Sequence, residues 1–130
     1  MSTKPAFTST VRNAVGAVSA ANTNRDGTGT IVSILTGVAA GTRVFEIDVK
    51  AIATTTAGMV RLFLSFDNGS TWKLYDEVLV SAVTPSASVA AFKGSITPPN
   101  LLLPNASTIL GASTHNAETF NVFVIGGDLT

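Results

Sequence analysis

Hydrophobic alternation of period two runs through most of this chain, and it leaves room for little except a sheet protein. Phe45, Ile47, Val49 and Ala51 alternate with Glu46, Asp48, Lys50 and Ile52, the pattern of a strand with one buried face. Residues 59–66 are apolar on both faces apart from Arg61 and Ser65, which predicts a strand central in its sheet. In 72–80, Leu74, Val78 and Val80 share a face with Trp72, whereas Lys73, Tyr75 and Glu77 face the other way. Asp76 interrupts the apolar face, as a bulge or a nearby partner would require. Further strands are expected at 29–36, 88–96, 107–114 and 119–125. Turn signals separate them: Asp26-Gly27, Thr84-Pro85-Ser86, Thr97-Pro98-Pro99-Asn100 and Pro104-Asn105.

Six or seven short strands with this punctuation predict an all-β fold, an antiparallel β-sandwich or jelly roll. One segment is ambiguous: across 11–21, Val11, Ala14, Val15 and Val18 fit a helical face about as well as a strand, and Gly16 weakens the helix. Residues 1–10, rich in Ser and Thr around Pro5, are expected to form an extended N-terminal arm, with 11–130 as a single sandwich domain. No internal repeat is found.

Composition bounds the function. A chain of 130 residues makes one domain that buries roughly two-thirds of its unfolded surface. Net charge is zero and the eight Lys and Arg are scattered, so neither nucleic acid nor a membrane surface is an expected partner. Charged residues are only 12 % of the chain, about half the usual share, which points towards surface hidden against neighbours. Cysteine is absent, removing disulfides, thiolate nucleophiles and sulfur ligands together. No apolar stretch approaches the roughly 20 residues of a membrane span. Lys4 and Arg12 precede a mild run, 14–21, that lacks Leu, Ile and Phe and makes a poor secretion signal.

Between the strands at 59–66 and 72–80 lies Ser65-Phe66-Asp67-Asn68-Gly69-Ser70-Thr71-Trp72, which fits S-x-D-x-G-x-T-W at every fixed position. The segment resembles the Asp-box, a hairpin turn of sialidases and many unrelated β-proteins. Asp67 and Asn68 satisfy turn amides, Gly69 takes positive φ, Ser65 and Thr71 flank the turn and Trp72 packs on the hairpin. The resemblance implies a structural turn, since the box lies away from catalytic centres in the families that carry it.

The sequence carries no recognisable catalytic set, cofactor-binding loop or metal cage. His115, the single histidine, falls in a polar connection, and no G-x-S-x-G elbow accompanies it. Glu46 and Asp48 share a strand face at a spacing compatible with acid–base work, but Lys50 continues the stripe as a solvated, charge-balanced face. Asp76 and Glu77 are adjacent and point apart. Asn22-x-Asn24-x-Asp26-Gly27 imitates half a calcium loop, yet its twelfth position is Ser33 where the cage needs Glu. The triplets at Asn68 and Asn105 match a glycosylation sequon only by its short pattern. Val124-Ile125-Gly126-Gly127 closes a strand with no helix after it to hold a phosphate. Trp72 and Tyr75 lie on opposite strand faces, so they make no sugar-stacking platform unless the strand is bulged.

Met59-Val60-Arg61-Leu62-Phe63-Leu64-Ser65, the box, Leu74-Tyr75-Asp76-Glu77 and Ala112-Ser113-Thr114-His115-Asn116-Ala117-Glu118-Thr119-Phe120-Asn121-Val122 together resemble small virion proteins of tailed bacteriophages. Within that group the chain is similar to head cement or decoration proteins over roughly residues 40–128. The resemblance implies a β-rich, non-enzymatic protein without cofactors, made in the bacterial cytoplasm and placed on the outer surface of the capsid. Its implied partners are major capsid protein and other copies of itself, as a dimer or trimer. In that role the N-terminal arm would cross onto an adjacent subunit through Lys4, Pro5 and Phe7, reaching roughly 30 Å when extended.

Two other classes are compatible with the sequence. A carbohydrate- or receptor-binding module of a tail fibre needs an aromatic-lined surface; a tail or head-completion protein needs rings of defined stoichiometry. A sialidase-type enzyme is disfavoured, because the chain is too short for a propeller and its four arginines form no carboxylate-binding cluster.

Overall fold

The computed structural model describes residues 8–129. Its strands are β1 (Thr8–Val18), β2 (Val32–Thr36), β3 (Thr42–Ala51), β4 (Gly58–Ser65), β5 (Lys73–Val80), β6 (Lys93–Ile96), β7 (Leu101–Leu103), β8 (Ile109–Thr114) and β9 (Phe120–Leu129). No helix occurs among the described residues. Two antiparallel sheets form: sheet A, ordered β1-β9-β3-β6 with β7 also beside β3, and sheet B, ordered β2-β8-β4-β5.

The pairings are nested: β4 with β5, β3 with β6, β2 with β8 and β1 with β9. The chain is a long ribbon whose tip is the β4–β5 turn. Rolled up, successive pairs fall alternately into the two sheets, which is the winding of a jelly roll. The expected all-β sandwich is therefore present, with jelly-roll strand order.

Between the sheets, Val44, Ile47, Val49, Val122 and Val124 from sheet A meet Val60, Leu62, Leu110 and Ala112 from sheet B, all fully buried. Each such aliphatic side chain contributes about 1.5–3 kcal/mol when taken out of water, Ala112 less. Phe92 and Phe120 close one region edge to face, with centroids 6.4 Å apart.

Segment 11–21 resolves as strand through Val18. Pairing with β9 from Thr10 to Val18 divides the four apolar residues between faces. Ala14 and Val18 turn inward, while Val11 and Val15 are exposed. A helix would have kept all four together. Residues 8–10 of the expected arm belong to β1, and Lys4, Pro5 and Phe7 lie outside the described residues.

Two bulges overturn expected facings. In β3 the register with β9 slips between Val44 and Glu46, so Val44 enters the core and Phe45 is exposed; the alternation expected from Phe45 holds only from Ile47 onward. In β5 the slip falls between Leu74 and Asp76, leaving Tyr75 unpaired. Val78 and Val80 are buried in the core, but Leu74 now lies opposite Phe63, on the other face. Four residues expected on one face are thus split two and two, because an extra residue inverts every facing beyond it.

Element bounds also shift. The strands expected at 29–36 and 88–96 shorten to β2 and β6, and the one expected at 119–125 lengthens through Gly126 and Gly127 to Leu129. β7 was not anticipated: Leu101–Leu103 sits between Pro-rich turns, yet Leu101 and Leu103 are buried opposite Val44 and Thr42.

Candidate functional site

The hairpin tip follows the box closely. The Asp67 carboxylate accepts from Ser65 Oγ at 2.8 Å, from Thr71 N at 2.9 Å and from Thr71 Oγ1 at 2.5 Å. Ser65 Oγ in turn accepts from Gly69 N at 2.8 Å. Those donors, the Thr71 hydroxyl first, hold the Asp67 carboxyl down at about 2. Asn68 and Gly69 both take positive φ, at 60° and 89°, which is where Asn and Gly are best tolerated. Asn68 N also donates to the Ser107 carbonyl at 2.9 Å, tying the tip to the approach to β8. Ser65, Asp67, Gly69 and Thr71 hold this turn in shape. Trp72 is half-buried on the outer face of sheet B against Gly111 and Ile31. The β5 bulge falls at Tyr75, but the Trp72 ring is already occupied by this packing.

A second centre lies on the same outer face. Arg61 is 1 % exposed, because the β1–β2 connection crosses over it. Its Nε donates to Glu77 Oε2 at 3.0 Å, its Nη1 to the Asn22 carbonyl at 3.2 Å, and its Nη2 contacts His115 Nδ1 at 3.1 Å. A guanidinium has only donors, so His115 accepts through Nδ1 and carries its ring proton on Nε2. Arg25, from the crossing segment, places Nε 2.8 Å from the same Glu77 oxygen. Arg25 first, and Arg61 with it, hold the Glu77 carboxyl below the usual carboxylate range. The cluster pins the connection to the sheet: Asn22 N donates to the Thr114 carbonyl at 2.8 Å. Sequence reasoning passed over this role of Arg61. The signal was one charge inside a run apolar on both faces, which has to be paired where it is buried.

The calcium-loop imitation is this same connection. Asn22 Nδ2 donates to the Thr28 and Thr30 carbonyls and its Oδ1 accepts from Asn24 N, all at 3.0 Å. Asp26 Oδ1 accepts from the Thr28 hydroxyl and amide, which lower its pKa. These oxygens shape the loop around itself. Among the described residues no group of three or more His, Asp or Glu side chains is placed to hold a metal ion.

On sheet A, Glu46 and Asp48 stand beside each other on the outer face. Hydrogen bonding and repulsion from Asp48 raise the Glu46 pKa. Lys50 continues their stripe, and its Nζ donates to the Ala91 carbonyl at 2.8 Å. Around this pair the outer face exposes several large apolar side chains. Val11 is 78 % and Val15 58 % exposed on β1, Phe123 and Ile125 follow on β9, and Phe45 on β3 carries the Arg43 guanidinium 5.4 Å from its ring centre. Val15 is directly opposite Phe123. Asn13, opposite Ile125, separates Val11 from Val15 on this face, so its exposed apolar side chains stand in small groups among polar ones. Comparison with protein-family models and with curated protein sequences finds no match for this chain.

Proposed function

We propose that this protein is a non-enzymatic structural component of a tailed-phage virion. In this reading it is a cement or decoration protein on the outer surface of the head, bridging major capsid protein subunits and stabilising the shell. The observation that carries the reading is the set of exposed apolar side chains, Val11, Val15, Phe45, Phe123 and Ile125, on the outer face of sheet A in a chain with so few charges. Such a protein works by being covered. Three of the segments that resemble virion proteins are neighbours in sheet B, where β4 pairs with both β5 and β8, and the last runs on into β9 of sheet A.

The mechanism is passive. A rolled ribbon pinned at its tip and across its outer face is a stiff wedge. Many copies, each weakly held on one lattice, close each junction together, and multivalent attachment multiplies their effect. The test is binding of purified protein to phage heads stripped of accessory proteins, with copy number read by quantitative gel and image reconstruction. Saturable binding at a few hundred copies, with better survival of the heads on heating, is expected. No binding, or a handful of copies at one vertex, would overturn the head assignment and favour the tail.

A further inference from the structure

Five strands form the outer sheet edges, and four of them are blunted against pairing with another chain, β7 by its length of three residues. β2 has five residues and a bulge between Ser33 and Leu35. β5 has a bulge at Tyr75 and carries Lys73, Asp76 and Glu77. β6 has four residues and begins with Lys93. Short length, charge and bulges are the usual protections of an edge.

β1 lacks them. It runs for eleven residues without Lys or Pro, and it pairs with β9 without interruption from Thr10 to Val18. Its one register shift is at the end, between Thr8 and Thr10. Its one charged residue is turned away from the edge's own use: Arg12 Nη1 lies 3.1 Å from Asp128 Oδ1, and Nη2 donates to the Thr36 carbonyl at 2.9 Å. Among the described residues no strand pairs with the side of β1 opposite β9. Roughly half of its backbone N–H and C=O groups therefore face outward, as in any edge strand.

We infer that β1 pairs antiparallel with β1 of a second copy across a two-fold axis, joining the two A sheets into one. The strand is self-complementary in one register. With Asn13 opposite Asn13 of the second copy, Thr8 meets Val18 and the full strand overlaps without overhang. On the outer face Val11 then meets Val15 in both directions, with the two Asn13 amides between them. On the inner face Arg12 meets Ala14, so no like charges oppose each other. The most exposed large apolar side chain among the described residues, Val11, is covered by its own i+4 neighbour from the other copy. Isologous two-fold contacts of this kind repeat each favourable pair twice, and cross-strand apolar pairs are the unit of sheet stabilisation. The inference specifies the self-association within the proposed function, but it needs no capsid and is tested without one.

Sedimentation velocity on the full chain is expected to show a species of twice the chain mass that dissociates on dilution. V11K/V15K puts Lys opposite Lys at both pairs and is expected to sediment as a monomer with unchanged circular dichroism, melting like wild type diluted to its monomer. V11K/V15E puts Lys opposite Glu in this register alone and is expected to remain a dimer. Because the chain has no cysteine, N13C provides a covalent readout. Paired Cα atoms about 4.5–5.5 Å apart are within disulfide reach, so oxidation is expected to yield a cross-linked dimer. A wild-type monomer at every concentration, a dimer that survives V11K/V15K, or identical behaviour of the two double variants would overturn the inference. Head binding by a strictly monomeric chain would sink this inference and leave the capsid reading standing. A β1-dependent dimer that ignores stripped heads would do the reverse.

Discussion

The indole of Trp72 fills the space that a side chain at Gly111 would need. A Cβ at position 111 would come within 2.7 Å of Cζ3 and 2.8 Å of Cη2, with Ile31 Cγ2 at 3.0 Å. The residue that follows the hairpin tip is thereby locked to the neighbouring strand, and the crossing connection closes over both. Gly111→Ala is expected to destabilise the fold by about 2 kcal/mol, as overpacking does. The shift is read from denaturant midpoints, together with red-shifted Trp fluorescence as the ring is pushed towards water.

Asp67 links stability to acid pH. Its folded pKa lies near 2 against an ordinary 3.8, so its hydrogen bonds stabilise fully above 3.8 and are lost as pH falls towards 2. Wild type is expected to melt higher than Asp67→Asn at pH 7. Thermal scans between pH 5 and pH 2 should show that gap closing over the same interval.

Glu46 acts with the opposite sign. Asp48 raises its pKa, so the native state holds the proton more tightly than the unfolded chain does. Its ionisation then costs stability as pH rises from the ordinary value of 4.5 through the raised one. Glu46→Gln is expected to melt higher than wild type at pH 7 and to match it at pH 4. Melting curves at the two values decide.

Arg61 joins three partners, Glu77, the Asn22 carbonyl and His115, beneath the β1–β2 connection. Arg61→Ala leaves the Asn22 carbonyl and His115 without their donor and opens a cavity, at an expected cost on the order of 3 kcal/mol. Arg61→Met refills the volume and is expected to recover part of that loss, since well-packed apolar residues replace buried ions at little cost. Limited proteolysis offers a local readout: cleavage in 19–31 should rise sharply in the alanine variant and less in the methionine one.

Much of this protein was legible from short-range pattern. Alternation around Ile47, Val49 and Ala51, the doubly apolar run of β4 and the Gly/Pro/Asn turns determined an all-β sandwich, because facing within a strand depends only on neighbours two residues away. The box likewise determined the hairpin tip, since Ser65, Asp67, Gly69 and Thr71 bond to one another within a few residues. Tertiary structure decided the rest. Bulges at Phe45 and Tyr75 reversed facings that alternation had assigned, for a bulge exists only against a partner strand. Residues 11–18 became strand because β9 offered them backbone bonds from the far end of the chain. Leu101–Leu103 became β7 because Val44 and Thr42 lay open beside it. Arg61 became a buried anchor only when a distant connection crossed its face. Each of these outcomes depends on which strands become neighbours, and strand order follows from the free energy of the whole rolled ribbon, not from any window of its sequence.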